Sequence, residues 1–149
     1  MISKILVPTD GSKAAQNAAR YAVDLAKQLK ASVFALSVID KRSLMGQTIP
    51  ASQTARHIIE PVEDYLREAA ESYAKEIKRL CERNGIPSKI VVTTGHPVEE
   101  IMKEAEKSKV SLIVMGSHGR SALAAMVLGS VTYGVIHKDT KIPIMLVKG

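Results

Sequence analysis

The run Gly116-Ser117-His118-Gly119-Arg120 follows an apolar stretch, and nine intervening residues separate Gly119 from Gly129-Ser130, with Val131-Thr132 next. Glycines let backbone N–H groups approach a phosphate closely, and the Ser130 and Thr132 hydroxyls stand where the opening of a helix favours an anion. The chemistry implied is capture of an anion by backbone groups rather than covalent attack. A second cluster, Pro8-Thr9-Asp10-Gly11-Ser12, follows the first apolar run. There Asp10 suits a ribose hydroxyl or a magnesium ion, or alternatively a turn that caps the following helix, and Ser12 is the better cap. Arg120 suits a phosphate through a charge-assisted hydrogen bond, or equally a solvated surface position.

Phosphoanhydride hydrolysis at a useful rate requires a positioned water, a base and neutralising charge. The glycine segment holds no lysine, and Asp10 and Asp40 are the only carboxylates expected at that edge of the sheet, so no catalytic residue is assigned. His57, His96 and His137 read as surface or capping residues. Cys81 lies beside an apolar helical stripe and reads as an inert buried thiol. The histidines are scattered and propose no metal cluster.

The elements that position these groups alternate. Ile2–Val7 reads as a buried strand, and from Ser12 onward Ala15, Ala18, Ala22, Ala26 and Leu29 recur at helical spacing. Ser32–Ile39 is a second strand, and the polar stretch from Asp40 to about Arg56 reads as an irregular connection able to act as a lid or partner loop. A long helix follows, with Val62, Leu66, Ala69, Tyr73, Ile77 and Leu80 on its stripe, Pro61 in its first turn and Asn84-Gly85 as its C-terminal cap. Ile90–Thr93, Ser111–Met115 and Ile142–Val147 read as further strands, and Pro97–Lys107 and Ser130 to about Lys138 as further helices. Strand–helix repeated four times with a closing strand implies a parallel sheet covered on both faces through right-handed crossovers. In such sheets ligands bind beyond the carboxyl ends of the strands, where strand order reverses.

Composition narrows the function. The 149 residues fit one domain spanning 1–149, with about 68% of the unfolded chain's surface buried on folding. Aromatic residues make up 3%, with no Trp, so platforms for stacking single-stranded bases are scarce. The net charge of +6 is dispersed: residues 1–74 carry nine basic and eight acidic side chains, residues 75–149 twelve and seven. Nucleic-acid binding, which needs several phosphate contacts on one face, is therefore disfavoured. A single cysteine, an N-terminus without signal-peptide anatomy and no apolar run near 18 residues point to a cytoplasmic protein that does not enter a membrane.

The spacing G-x-x-G, nine residues, G-[ST] resembles the ATP-binding signature of the universal stress protein family. The resemblance extends to Ile5-Leu6-Val7-Pro8-Thr9-Asp10-Gly11-Ser12 and to Val38-Ile39-Asp40, and covers nearly the whole chain apart from 41–56. It implies an α/β fold, a Rossmann-like or flavodoxin-like open parallel sheet of five strands in the order 3-2-1-4-5 with helices on both faces. It further implies ATP, or ADP or AMP, with Mg2+, bound in a regulatory stress-response module with at most slow hydrolysis. Carried over by position, the Val38 backbone would meet the adenine edge, and Pro8, Thr9 and Asp10 would line the adenosine. Gly116, Gly119, Gly129 and Ser130 would hold ribose and phosphates, flanked by Met115, Ser117, Arg120, Val131 and Thr132. His118 occupies a variable position of the signature. The implied edge position of Ile142–Val147 makes a two-fold homodimer the simplest closure. An enzyme that hydrolyses or transfers a nucleotide phosphate is the alternative.

Other nucleotide folds do not fit. No Gly-Lys pair exists for a Walker A loop, and G-x-G-x-x-G is absent. A receiver domain would place an acid where Thr93-Thr94 stand, and an ATP pyrophosphatase a Ser-Gly-Gly loop where Pro-Thr-Asp-Gly-Ser stands.

Overall fold

Strands and helices alternate along the chain: β1 (Lys4–Pro8), α1 (Lys13–Leu29), β2 (Ser32–Asp40), α2 (Thr54–Arg83), β3 (Ser88–Gly95), α3 (Pro97–Lys107), β4 (Leu112–Gly116), α4 (Ser130–Ile136) and β5 (Ile144–Val147). The computed structural model describes residues 1–40, 42, 54–118 and 128–148, with backbone alone for 54–60. The strands form one parallel sheet in the order β3-β2-β1-β4-β5, as the alternation and the family resemblance predict.

Each face of the sheet has its own core. Ile5, Val7, Val33 and Ala35 point to α1 and α2, where Ala18, Ala22, Ala26, Ala74, Ile77 and Cys81 meet them. The alternate residues Leu6 and Leu36, with Ile113 and Met115, pack on Val98, Ile101, Met102 and Ala105 of α3 and Val135 of α4. The alanine stripe of α1 lets that helix lie close to the sheet, because an alanine places only a methyl group between backbones. The Ser12 hydroxyl accepts the Ala15 N–H at 3.1 Å and caps α1, as expected. At the far end of α2, Gly85 adopts φ +69° and the Asn84 side chain donates to the Leu80 carbonyl at 2.8 Å, confirming the predicted cap.

Several boundaries depart from expectation. The first strand starts at Lys4 rather than Ile2, and at its entrance the Ser3 and Lys4 N–H groups donate to the Ser111 hydroxyl at 2.9 and 3.0 Å. α2 begins at Thr54, so Pro61 lies inside the helix rather than in its first turn, and 54–56 are helical rather than irregular. A proline there withholds an N–H from the carbonyl four residues earlier, a loss that the helix accommodates. The rest of the 41–56 connection, apart from Arg42, lies outside the described residues. β3 extends to Ser88–Gly95, beyond the expected Ile90–Thr93, since an edge strand tolerates the polar Ser88 and Lys89 at its start. β4 is displaced by one residue, running Leu112–Gly116 rather than Ser111–Met115. β5 begins at Ile144 rather than Ile142: Pro143 has no N–H for the ladder, although its carbonyl accepts from Ile113 at 3.0 Å. The last helix ends at Ile136, with His137 as its C-terminal cap.

Candidate functional site

The helices α1 and α2 cover one face and α3 and α4 the other, so strand order reverses between β1 and β4. Pairing of those two strands stops at Leu6–Ile113, and Pro8, which has no N–H, cannot extend it. Beyond this split lies a cavity of about 550 Å3, within the range of about 300–1,000 Å3 usual for small-molecule sites.

Its floor is an interrupted ladder. β1 pairs with β2 only as far as Pro8–Leu36, and the last bond runs from the Thr9 N–H to the Leu36 carbonyl at 2.8 Å. β2 continues to Asp40, held on its other side by β3 through Val38–Thr93 and Asp40–Gly95. Within a strand the N–H and C=O of one residue share a side, and the side alternates. The peptide groups of Val38 therefore face the β1 side, like those of Leu36, at a level where β1 has already left the sheet. The exit of β1 is fixed by the Ser37 hydroxyl, which donates to the Thr9 carbonyl at 3.3 Å. Beyond it, the Asp10 carboxylate accepts the Ser12 N–H at 2.9 Å. The capping role weighed for Asp10 is thus observed as a turn within its own loop, while Asp10 also lines the cavity. Gly11 takes φ +76°, a conformation that favours glycine, and a Cβ there would enter the ring of Tyr73.

The other wall comes from β4 and α4. Gly116 lies so close to the start of α1 that a Cβ would stand 3.0 Å from the Ala14 backbone. The buried Thr132 hydroxyl donates its one proton to the Gly116 carbonyl at 2.8 Å, so it braces this wall and offers an incoming anion no donor. Ser117 donates its N–H to the Val147 carbonyl and accepts the Gly129 N–H, each at 3.0 Å, which ties β4, β5 and the start of α4 together. No side chain caps α4 at Gly129.

Of the predicted contacts, Pro8, Thr9, Asp10, Val38, Met115, Gly116, Gly129, Ser130, Val131 and Thr132 converge on this cavity. Ser117 does not line it, and Gly119 and Arg120 lie outside the described residues. Sequence reasoning missed Ser37, Arg42, Tyr65, Leu66, Ala69, Ala70 and Tyr73 as lining residues. The helical stripe through Leu66, Ala69 and Tyr73 was visible, but nothing in its spacing says where the sheet beneath it ends. The Arg42 guanidinium grips Asp40 with two bonds of 2.9 and 3.1 Å, and its hydrogen bonds hold the carboxyl below the ordinary carboxylate range. Asp40 is therefore engaged by a cation of the chain itself, not presented to a metal. Among the described residues no group of three or more His, Cys, Asp and Glu could hold a metal ion. A second depression, of about 600 Å3 among Glu99, Lys103, Glu106, Lys107, Lys138 and neighbours, is more open and shares no residue with the strand ends.

Residues 1–148 match the model of the Universal stress protein family. The chain belongs to that family. A curated relative, Universal stress protein MJ0531 of Methanocaldococcus jannaschii, is 35% identical over 148 residues, covering 99% of this chain and 83% of the relative. Universal stress protein MJ0577 of the same organism is 37% identical over 157 residues, covering 99% and 96%. Its solved structure superposes with a TM-score of 0.84 at 34% identity, covering 100% of this chain and 97% of that one. A universal stress protein of Archaeoglobus fulgidus, solved in complex with dAMP, shares the fold at a TM-score of 0.64 and 18% identity, covering 99% and 98%. The strand order of this universal stress protein agrees with what the signature implies for the fold. Among its described residues, no helix is long and apolar enough to cross a membrane.

Proposed function

We propose that this universal stress protein binds an adenine nucleotide, ATP with Mg2+ or its products ADP and AMP, and acts as a nucleotide-dependent regulatory module in the cytoplasm. The observation that carries the reading is the Val38 peptide group, one donor and one acceptor facing a cavity where the neighbouring strand has ended. That pair matches an adenine edge. Gly116, with the chain passing close to α1, and Gly129-Ser130 at the far wall leave room for a ribose and phosphates. The A. fulgidus neighbour's dAMP supports the reading at the level of fold.

The chain's own groups favour binding over turnover. No described lysine lines the cavity, the Thr132 proton is engaged with Gly116, and Asp40 is held by Arg42. With Mg2+ carried on the phosphates, Asp10 is the carboxylate nearest in kind to a ligand. Occupancy at 100 times the dissociation constant stabilises the native state by about 2.7 kcal/mol, enough to reset a loop or interface equilibrium.

The proposed mate is a second copy of the chain, joined through β5. That strand is an edge of the sheet, and its Leu146 is exposed together with Tyr133 and Ile136 of α4. Light scattering at micromolar concentration should give the mass of a dimer, and a monomer would remove this part of the proposal.

The experiment for the site is to denature purified protein, identify any released nucleotide, and then follow ATP with magnesium for turnover. Retained or readily bound ATP with negligible turnover supports the module. Rapid turnover abolished by Asp10→Ala would replace it with an enzyme, and no binding at millimolar nucleotide would overturn both.

A further inference from the structure

The cavity has an aromatic wall that neither the strands nor the glycine segment supply. α2 runs past the edge of the sheet. Tyr73 is level with Gly11 at the exit of β1, and Tyr65 stands eight residues earlier, roughly 12 Å further out at about 1.5 Å per residue. Leu66, Ala69 and Ala70 line the cavity between them. The outer part of α2 therefore overhangs the site, and Tyr65, 70% exposed, is among its lining residues.

The chain has four tyrosines, one phenylalanine and no tryptophan. Tyr21 is an exposed residue of α1 outside the cavity, Tyr133 stacks on His137 with ring centroids 4.0 Å apart, and Phe34 lies between Lys4 and Lys89. Tyr73 covers Gly11. Tyr65 alone joins an exposed ring to the cavity lining. The cavity it lines offers apolar wall from Leu66, Ala69, Val38, Pro97 and Ile101, beside the polar Ser37, Asp40 and Arg42. A flat heteroaromatic ring entering there would remove water from both its own face and the tyrosine's.

Resting on the reading of the cavity as an adenine-nucleotide site, we infer that Tyr65 is a base-stacking residue that closes over the adenine from the α2 side. The strand ends address the edge of the base and Tyr65 addresses its face. A stack of this kind contributes through the ring, not the hydroxyl, so phenylalanine replaces it and leucine, though apolar, does not.

The test uses the intact protein with AMP and ATP, comparing wild type with Tyr65→Phe, Tyr65→Leu and Tyr65→Ala by titration calorimetry and by the adenine H2 and H8 proton shifts at saturation. Tyr65→Ala and Tyr65→Leu should weaken binding about five-fold or more, the low end of what a lost base–aromatic stack costs, while Tyr65→Phe binds like wild type. The upfield shift of the adenine protons should shrink in the leucine and alanine variants even at full occupancy, a change that loss of mere packing would not produce. Wild-type affinity and unchanged proton shifts in Tyr65→Leu would overturn the stacking role while leaving the nucleotide site standing. A wild-type protein that binds neither nucleotide would overturn the site and the stack together. The substituted ring is exposed, so the variants are expected to fold, and thermal unfolding verifies it.

Discussion

The Thr132 hydroxyl donates to the Gly116 carbonyl at 2.8 Å, joining residues 16 positions apart across the base of the cavity. Thr132→Val keeps the shape but leaves a buried carbonyl without its donor, at a cost of about 1–3 kcal/mol. Urea unfolding should show that loss, and Thr132→Ser, which retains the hydroxyl, should lose less. Equal stability of the valine variant and wild type would mean that the bond contributes nothing net.

Gly11 and Tyr73 make a second paired constraint. Gly11→Ala must hold an L-residue at φ +76° and must also displace the Tyr73 ring. Left-handed backbone alone costs about 1–2 kcal/mol, and the clash adds to it. In a double-mutant cycle, Tyr73→Ala should rescue part of the Gly11→Ala defect, the part due to contact, and leave the backbone part. Strict additivity of the two substitutions would refute the coupling.

Cys81 is fully buried, and burial pushes its thiol up to about 11. At pH 7 roughly one molecule in 10⁴ carries the thiolate, the reactive form. Alkylation of the native protein should therefore proceed only through unfolding, its rate tracking denaturant and falling when nucleotide is added. Fast modification of the folded protein would contradict the burial.

Asp40 supplies a pH dependence of known sign. The Arg42 hydrogen bonds lower its pKa from the ordinary value of 3.8, so the native state binds this proton less readily than the unfolded chain. The stabilisation is complete above that ordinary value and is lost as pH falls through the depressed native one. Both side chains are partly exposed, so the contribution is small and salt-sensitive. Asp40→Asn should flatten the acid limb of the stability profile slightly and leave stability near pH 7 reduced by the same small amount. A steeper acid limb in the variant would reverse the assignment.

The alternation of elements was legible because each periodic run is bounded by glycine, proline or a capping residue, and the sheet order followed from the resemblance. Ser12 and Asn84-Gly85 show how far local chemistry reaches: both caps form where their types require. Pro61 shows where it stops. A proline reads as a helix start, yet α2 continues through it to Thr54, because the residues before a proline can stay helical at the loss of one hydrogen bond. Pro143 did the opposite and trimmed β5. Of the ten lining residues anticipated, Pro8, Thr9, Asp10, Val38, Met115 and Gly116 sit at strand ends, whose position along the chain is a local property, and Gly129, Ser130, Val131 and Thr132 at the opening of α4, where the glycine spacing placed them. Tyr65 was not anticipated, because which turn of a helix overhangs a sheet depends on the relative lengths of two distant segments.

The difference in length between β1 and β2 also decides what mutagenesis can see. At Val38 the groups facing the cavity are the peptide N–H and C=O, which every residue except proline carries in the same place. An alanine substitution here would register the packing of the Val38 side chain on the second core and leave this donor and acceptor untouched. A donor and acceptor bared by strand length in this way are lost only by insertion, deletion or proline, so Val38→Pro, not Val38→Ala, is the substitution that tests them.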